Sequence, residues 1–440
     1  MTKQRLGPPS GSRDFLPDEA LFRQRVLETV RAAFVRHGFA PIETPAFERL
    51  ETLSGKYGDE GEKLIFKILK RGDKAASGEA DLALRYDLTV PTMRMYAHRR
   101  NDLPRVVKRY QIGPVWRADR PGRGRFREFH QCDVDIIGSA SPLADVEVLL
   151  ALAAAIDDLG LGRFTIRLNS RRVIAGLMEA YGVPPDRQAE VSVVLDKADK
   201  IGHGGVAEAL SGIGLPNMAA ARLVADLTAQ DWAAALRRRI AESGQGREGL
   251  AEVEAIAGYL RPHLTGGTIR RDPILARGLD YYTGPIFEFF ADGGAGSIAG
   301  GGRYDDLAGM FLKDSVPVCG GSLGIERIML LLSARDVTPT PAGADVYVTV
   351  WDEHARADGL RLLTELRAAG LSAEIDLDGG RIGKQMRGAD ERGCRFAVVQ
   401  GPDEKAAGQV AIKDMTSGAQ ETVPESDATA AIKRLGTGPD

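Results

Sequence analysis

The chain has 440 residues, of which 43% are hydrophobic and 27% are charged, and its formal net charge is −3. This composition is ordinary for a folded globular protein of about three domains, and it excludes a largely disordered chain. No stretch reaches the roughly 18 apolar residues of a membrane helix, and residues 1–18 lack the apolar core of a signal peptide. We therefore expect a cytoplasmic protein without a membrane segment.

The first segment, residues 1–168, mixes helical and strand patterns. Apolar residues at helical spacing predict a helix over residues 21–37, which ends before Gly38. An Ala-rich apolar stretch predicts a second helix over residues 143–159. Strands are predicted over residues 63–70, 82–86, 105–116 and 127–137.

Residues 94–127 are strongly basic, with eleven Lys or Arg and only two acidic residues, Asp102 and Asp119. One interpretation is a solvated charged face, but such a face usually mixes both signs. The excess of positive charge favours a surface that binds a polyanion.

Residues 169–262 are largely helical by pattern, with glycine-rich breaks and few aromatic residues. This predicts a helical subdomain inserted into the first segment. Strand patterns return at residues 268–271 and 281–290. A glycine-rich loop is then predicted over residues 293–302, followed by a helix over residues 324–334.

A Pro-rich linker, residues 338–342, precedes a different pattern. Beyond it strands and helices alternate, which predicts a small α/β domain over residues 343–440. Its strands are predicted at residues 345–350, 372–376 and 396–400, and its helices at residues 355–369 and 381–393.

The three cysteines are Cys132, Cys319 and Cys394. They lie far apart and show no C-x-x-C spacing. We expect buried thiols, with neither disulfides nor a zinc site.

Four segments suit an anionic ligand, and each also has a plainer interpretation. The basic hairpin at residues 117–131 either holds an arginine against a phosphate, because guanidinium donates two parallel hydrogen bonds, or is simply exposed. The tyrosine pair in residues 277–284 belongs to the core or to a site. The glycine run in residues 299–305 permits either close approach of a ligand or a turn. In residues 320–330, small residues precede an apolar helix whose N-terminus and Arg327 both favour an anion.

Together, in this order, these segments resemble the class II aminoacyl-tRNA synthetases and, within that class, the histidyl-tRNA synthetase family. Residues 38–45 look like motif 1, residues 115–129 like motif 2 and residues 324–327 like motif 3. RGLDYYTG at residues 277–284 and AGGGRYD at residues 299–305 are similar to the two histidine-specific signatures. The α/β unit at the end of the chain resembles the anticodon-binding domain of this group.

The resemblance implies an α+β catalytic core, with an antiparallel sheet flanked by helices, formed by residues 1–168 and 263–337. A helical insertion subdomain, residues 169–262, interrupts it. The linker, residues 338–342, leads to the anticodon-binding α/β domain, residues 343–440. Motif 1 implies a homodimer.

The implied activity is that of a histidine–tRNA ligase, which activates L-histidine with ATP and transfers it to the 3′ end of tRNA(His). Asp87 and Thr89 match residues that hold the α-amino group. Asp135 and Tyr282 would satisfy both imidazole nitrogens, and a polar pocket of this kind rejects analogues without an editing domain. The implied histidine-binding residues are Asp87, Leu88, Thr89, Gln131, Asp135, Tyr281, Tyr282, Gly301 and Tyr304.

The resemblance assigns catalysis to Arg117 and Arg277. Arg117 matches an arginine between the substrate carboxylate and the α-phosphate, and Arg277 matches one that contacts the α-phosphate where other class II enzymes place a metal. Mg²⁺ is expected mainly on the ATP phosphates, with no metal bound by the protein alone. Arg327 would contact the γ-phosphate and Phe129 would stack on adenine. The implied ATP-binding residues are Arg117, Asp119, Arg125, Phe129, Arg277, Gly324 and Arg327.

The motif 2 loop departs from the common bacterial pattern, because it lacks the Gln that often precedes Lys-Gly there. Residues 84–91 and 127–136 look more like the eukaryotic branch. The loop residues expected to contact tRNA are Arg120, Gly122 and Arg123. Our hypothesis is that this enzyme reads the discriminator base of the tRNA more than the extra 5′ guanosine. The helical insertion either contacts the acceptor arm or serves as a scaffold.

The main alternative is a catalytically silent paralogue, the regulatory subunit of ATP phosphoribosyltransferase. That paralogue shares the core but typically lacks the last domain and has eroded motifs. Arg117, Arg277, Tyr282 and Arg327 are all present here. The sequence therefore favours the enzyme.

Overall fold

The structure is a computed structural model, and it describes residues 6–57, 61–229, 232–276, 281–294, 296–335 and 343–436. The chain divides into two compact units. The first comprises residues 1–14 and 23–337, and the second comprises residues 15–22 and 338–440. Each unit has its own β-sheet.

The first unit is built on an eight-stranded sheet and a smaller three-stranded sheet. Their strands are β1 (Ala40–Pro41), β2 (Phe47–Arg49), β3 (Lys67–Leu69), β4 (Ala80–Leu84), β5 (Val107–Trp116), β6 (Glu128–Ile137), β7 (Phe164–Ser170), β8 (Gly267–Arg271), β9 (Pro285–Ala291), β10 (Ala299–Arg303) and β11 (Val318–Gly324). The large sheet has the order β1-β5-β6-β11-β10-β9-β7-β8, and the small one β2-β4-β3. All neighbours are antiparallel except β1–β5 and β7–β8. The predicted α+β core with a mostly antiparallel sheet is confirmed.

The centre of the large sheet is a long hairpin of β5 and β6, each with ten residues. The register runs from Val107 opposite Ile137 to Trp116 opposite Glu128. Both strands agree with their predicted ranges to within two residues. Residues 117–127 join them and are called the hairpin loop below.

The described helices between residues 17 and 333 include those that flank this sheet. They are α1 (Pro17–Arg36), α2 (Leu50–Leu53), α3 (Thr89–Arg99), α4 (Pro142–Asp158), α5 (Arg171–Ala180), α6 (Gln188–Asp196), α7 (Ala198–Gly212), α8 (Asn217–Thr228), α9 (Trp232–Arg239), α10 (Gly244–Leu260), α11 (Asp305–Gly309) and α12 (Ile325–Ser333). The start of α4 follows from its sequence, since the Ser141 hydroxyl accepts from the Leu143 N–H and Pro142 occupies the first turn. Its apolar face, including Leu149 and Leu152, is fully buried.

Six of these helices, α5 to α10, lie between β7 and β8 in the chain, where the sequence predicted helices. Gly202, with a φ of 69°, interrupts α7 at one of the predicted glycine breaks. Tertiary contacts group these helices with the rest of the first unit. The boundaries of a separate subdomain at residues 169–262 therefore stay a prediction.

The glycine-rich segments before α12 are strands, and the prediction of a loop over residues 293–302 was wrong at its end. Gly300, Gly301 and Gly302 lie in β10, and Gly320 and Gly321 lie in β11. A Cβ on Gly301 would collide with the Gly320 carbonyl and the Phe287 ring, and one on Gly320 would collide with the Asp135 carboxylate. Glycine is therefore needed at these positions because neighbouring strands leave no room for a side chain. Local β propensity does not reveal this requirement.

The second unit contains a five-stranded sheet of order β13-β12-β14-β15-β16. Its elements are β12 (Val346–Val348), α13 (Arg356–Ala368), β13 (Ala373–Ile375), α14 (Ile382–Glu391), β14 (Phe396–Val399), α15 (Pro402–Ala407), β15 (Gln409–Asp414), β16 (Gln420–Pro424) and α16 (Ala428–Gly436). The first three strands are parallel and follow the predicted alternation, whereas the antiparallel pair β15 and β16 was not predicted. The predicted linker, residues 338–342, lies outside the described residues.

Two general features complete the fold. The three cysteine side chains are buried with free thiols, as predicted. Among the described helices, none has the length and apolar character needed to cross a membrane.

Candidate active site

A cavity of about 670 Å³ lies in the first unit, over the central strands of the large sheet. Many of the predicted site residues line it. They are Thr89, Arg117, Asp119, Arg125, Phe129, Gln131, Asp135, Tyr281, Tyr282, Tyr304, Gly324 and Arg327. The fold thus brings together residues that lie more than 200 positions apart in the sequence, such as Thr89 and Arg327.

The other predicted residues lie elsewhere. Leu88 is fully buried in the core, and Gly301 packs inside the sheet. Asp87 is buried two residues before the cavity-lining Thr89. Arg277 lies outside the described residues. The three predicted tRNA contacts, Arg120, Gly122 and Arg123, are exposed in the hairpin loop.

Strand β6 presents alternate side chains to the cavity, as the two-residue period of a strand requires. Phe129, Gln131, Asp133 and Asp135 all line the cavity. Cys132, between them, is fully buried in the core. Together, Asp133 and Asp135 form what we call the acidic floor of the cavity.

Asp135 is held by two partners from distant parts of the chain. Its carboxylate pairs with the Arg109 guanidinium at 2.5 Å, and it accepts a hydrogen bond from the Tyr304 hydroxyl. Arg109 is 0% exposed, so this is a fully buried ion pair. Burial raises the pKa of Asp135, and Arg109 opposes that effect.

Three tyrosines cluster beside the acidic floor. The ring centroids of Tyr281 and Tyr282 are 4.9 Å apart, and the Tyr304 ring meets both in near edge-on geometry at 5.8 and 6.3 Å. Such a cluster gives a flat, aromatic wall next to hydrogen-bonding groups, which suits a planar heterocycle.

Asp87 is fixed by its own neighbours. One carboxylate oxygen, Oδ1, accepts from the Val90 N–H at 3.0 Å and from the Tyr57 hydroxyl at 3.1 Å. The other oxygen, Oδ2, is buried without a hydrogen-bond partner among the described residues. Burial raises the pKa of this carboxyl, so a cationic ligand would stabilise its ionised form.

Arg117 follows directly after β5, and its side chain is held by contacts with Tyr86 and Phe129. Its Nε donates to the Tyr86 carbonyl at 3.1 Å. Its guanidinium carbon lies 4.3 Å from the Tyr86 ring centroid and 5.2 Å from that of Phe129. Cation–π contacts with these two rings orient a guanidinium that also lines the cavity, as an anion site requires.

The hairpin loop closes one side of the cavity with a small ion pair. Arg125 donates to Asp119 at 2.8 Å, and its backbone pairs with Gly122. Asp119 and Arg125 line the cavity. The tip between them, with Arg120 and Arg123, points its charged residues to solvent.

Helix α12 places Arg327 in its first turn, as predicted. The Arg327 guanidinium donates to the Ser297 carbonyl at 2.6 Å. Beside it, buried Glu326 pairs with Arg23 at 2.9 Å and accepts from the His130 N–H at 3.2 Å. Glu326 therefore ties α12 to β6, which fixes where Arg327 enters the cavity.

Sequence reasoning missed several residues that line the cavity, including Asp133, Ser322, Glu288 and Phe290. Asp133 had a signal, because it stands two residues from both Gln131 and Asp135 on a predicted strand. Ser322 had none, since its segment was interpreted as the approach to a helix.

The chain matches known families over most of its length. Residues 11–328 match the Histidyl-tRNA synthetase family, and residues 345–435 match the Anticodon binding domain family. The Histidine–tRNA ligase of Gloeobacter violaceus is 39% identical over 96% of this chain and 97% of that protein. The Histidine–tRNA ligase of Cytophaga hutchinsonii is 40% identical over 94% of this chain and 96% of that protein.

Solved structures give the same result. The crystal structure of histidyl-tRNA synthetase from Nostoc sp. PCC 7120 has a TM-score of 0.84 and 31% identity, and covers 98% of this chain and 100% of that one. Fold, sequence and motif order agree over nearly the whole chain. This chain therefore belongs to the histidyl-tRNA synthetase family.

Proposed function

We propose that the cavity is where this chain performs its reaction, the ATP-dependent ligation of L-histidine to tRNA(His). The activity accords with its family. The observation that supports this site most directly is the distribution of charged residues in one cavity. Buried carboxylates lie on its floor, and Arg117 and Arg327 line it as well. An amino acid needs a carboxylate for its ammonium group and, like ATP, needs cations for its own anionic groups.

Histidine would bind over the acidic floor. Asp87, with its unpartnered Oδ2, and Thr89 would hold the α-ammonium group. Asp135 would accept from one imidazole nitrogen, since Arg109 and Tyr304 hold its carboxylate in place. Tyr281 and Tyr282 would supply the aromatic wall and the second imidazole partner. Gly301 would contribute by leaving room within the crowded sheet.

ATP would bind towards α12 and the hairpin loop. Arg117 would bridge the histidine carboxylate and the α-phosphate, Arg327 would contact the γ-phosphate, and Phe129 would stack on adenine. The remaining ATP-binding residues of this part of the cavity would be Gly324, Asp119 and Arg125. Arg277 keeps its proposed role at the α-phosphate.

The reaction has two steps. A histidine carboxylate oxygen forms a bond to the α-phosphorus while the bond to pyrophosphate breaks, and fixed guanidiniums stabilise the charge that develops on phosphate oxygens. The 3′ hydroxyl of the terminal adenosine then attacks the acyl carbonyl, and AMP leaves. Mg²⁺ would enter bound mainly to the ATP phosphates.

The tRNA would approach over the hairpin loop, with its anticodon on the second unit. Arg120, Gly122 and Arg123 are exposed while the neighbouring Gly124 lines the cavity, so the loop extends from solvent to the cavity. We retain the hypothesis that the discriminator base outweighs the extra 5′ guanosine. Charging of transcripts with and without that nucleotide tests it, and strict dependence on the guanosine refutes it.

We further propose a cytoplasmic homodimer in which residues 38–45 lie at the interface. Exposed apolar side chains flank this segment, with Val35 54% and Phe47 52% exposed. Burial of such side chains favours association. Light scattering during gel filtration would give twice the chain mass, and a monomer at micromolar concentration would contradict the proposal.

The deciding experiment is histidine-dependent exchange of labelled pyrophosphate into ATP, with Mg²⁺ and without tRNA. Exchange that requires histidine would establish activation at this site. A folded protein that shows no exchange would instead support the alternative that the chain is a regulatory paralogue. Its binding to a phosphoribosyltransferase would then be measured.

A further inference from the structure

Asp133 is a buried carboxyl on the cavity floor. It lies between Gln131 and Asp135 on the cavity face of β6, and it is only 2% exposed. Gln111 on β5 and Ser322 on β11 stand opposite it in the sheet. A carboxyl is rarely buried at this depth without a partner or a function.

One hydrogen bond organises this part of the floor. Gln131 donates from Nε2 to the Ser322 hydroxyl oxygen at 3.3 Å, and Ser322 stands directly opposite Asp133 in the sheet. The bond orients the Gln131 amide so that its oxygen, Oε1, is left as an acceptor. Among the described residues neither Gln131 Oε1 nor Asp133 Oδ1 has a hydrogen-bond partner.

The two guanidiniums near Asp133 each have another partner. Arg109 is already paired with Asp135 at 2.5 Å. Arg85, which also acts on Asp133, donates its N–H groups to the backbone carbonyls of Thr44 and Pro114 at 2.8 Å. Asp87 adds a third buried carboxylate to this surrounding. Burial, Asp135 and Asp87 all raise the pKa of Asp133, so a cationic ligand beside these carboxyl groups would favour their ionised forms.

We propose that Asp133 joins Asp87, Thr89 and Gln131 in binding the α-ammonium group of histidine. An ammonium group has three N–H donors. Asp87 Oδ2, Gln131 Oε1 and Asp133 Oδ1 are three acceptors without partners among the described residues. This inference rests on the proposed function and adds a specificity residue to it.

The electrostatics of the ligand-free site agree with this role. Burial raises the pKa of Asp133 to about 7, while Arg109 opposes and Asp135 reinforces the rise. A bound ammonium group would favour the ionised carboxylate, so substrate binding would draw the proton from Asp133.

The test compares three ligands on the full chain by calorimetry. Histidine and histidinol carry the ammonium group, whereas imidazolepropionate has the imidazole and carboxylate without it. In Asp133→Asn we expect affinity for the first two to fall at least tenfold, with imidazolepropionate unchanged or tighter. Asp102→Asn, an exposed change outside the cavity, serves as the control and should alter none of the three.

Equal loss for all three ligands, or no loss for histidine, would overturn the assignment. Ser322→Ala provides a second variant that keeps the carboxylate but breaks the bond to Gln131. It should weaken histidine and histidinol about threefold to tenfold and leave imidazolepropionate unchanged, and an equal loss for all three would again contradict the proposal. Failure of the unaltered chain to bind histidine or exchange pyrophosphate would instead refute the proposed function itself.

Discussion

The acidic floor and the hairpin loop are two halves of one cavity, yet they are built in opposite ways. The floor lies on the central strands, with Asp133 and Asp135 each 2% exposed and Arg109 fully buried. The loop carries Arg120 and Arg123 in solvent. A buried, hydrogen-bonded site discriminates strongly because a wrong ligand leaves its polar groups unpaired, whereas exposed arginines attract any polyanion. Histidine selection would therefore belong to the floor, and contacts with tRNA to the loop.

Arg117, where the two halves meet, should give the largest effect. Arg117→Ala is expected to slow adenylate formation about 10³-fold, because it removes a guanidinium aimed at developing phosphate charge. Histidine affinity should change less than about tenfold, since the floor remains intact. Single-turnover kinetics and calorimetry measure the two quantities. Arg100→Ala, in the same basic stretch but outside the described cavity lining, is the control, and equal losses in rate and affinity would contradict the role.

The floor itself is tested by Asp135→Asn. This change leaves the buried Arg109 without its charge partner, so we expect the free energy of unfolding to fall by about 3 to 5 kcal/mol. Histidine affinity should fall about 100-fold, because the imidazole loses a charged acceptor. Denaturant titration and calorimetry check both numbers.

The matched control for Asp135→Asn is Asp102→Asn. Asp102 pairs with Arg99 at 3.2 Å, but both side chains are more than 60% exposed. An exposed pair of this kind contributes about 0 to 1 kcal/mol. A similarly small effect at Asp135 would remove the distinction between a rigid floor and an adaptable surface.

The loop should affect only the second step. Arg123→Ala is expected to lower transfer of histidine to tRNA about tenfold and to reduce the salt slope of tRNA binding by about one. Pyrophosphate exchange without tRNA should stay within about twofold. If exchange falls as much as transfer, the loop belongs to the adenylate site and the comparison fails.

The smallest effect concerns stability and pH. Because folding raises the pKa of Asp133 to about 7, the unfolded chain binds fewer protons than the folded one between about pH 4 and pH 7. This carboxyl therefore destabilises the fold as the pH rises through that window. Asp133→Asn should raise the thermal midpoint by about 2 to 4 °C at pH 8 and by much less at pH 4. The same difference at both pH values would show that Asp133 does not titrate there.

The accuracy of prediction differed between segments for physical reasons. The ends of β5, β6 and α4 were close to those predicted, because apolar periodicity and the Ser141–Pro142 cap are local signals. β10 and β11 were missed because glycine has little preference for strands. Their glycines are required because Phe287 and Asp135 occupy the space that a side chain would need.

By itself the sequence determined the family, through motifs in a fixed order, and the alternation that places Gln131 and Asp135 on one face of a strand. Only the tertiary structure decided what surrounds them. Arg109 reaches Asp135 across a strand pair, and Tyr304 reaches it from 169 residues away. Ser322, which stands opposite Asp133 on a third strand, accepts a hydrogen bond from Gln131. These contacts depend on register between distant strands, and sheet register is set by packing of the whole core, which no local pattern encodes.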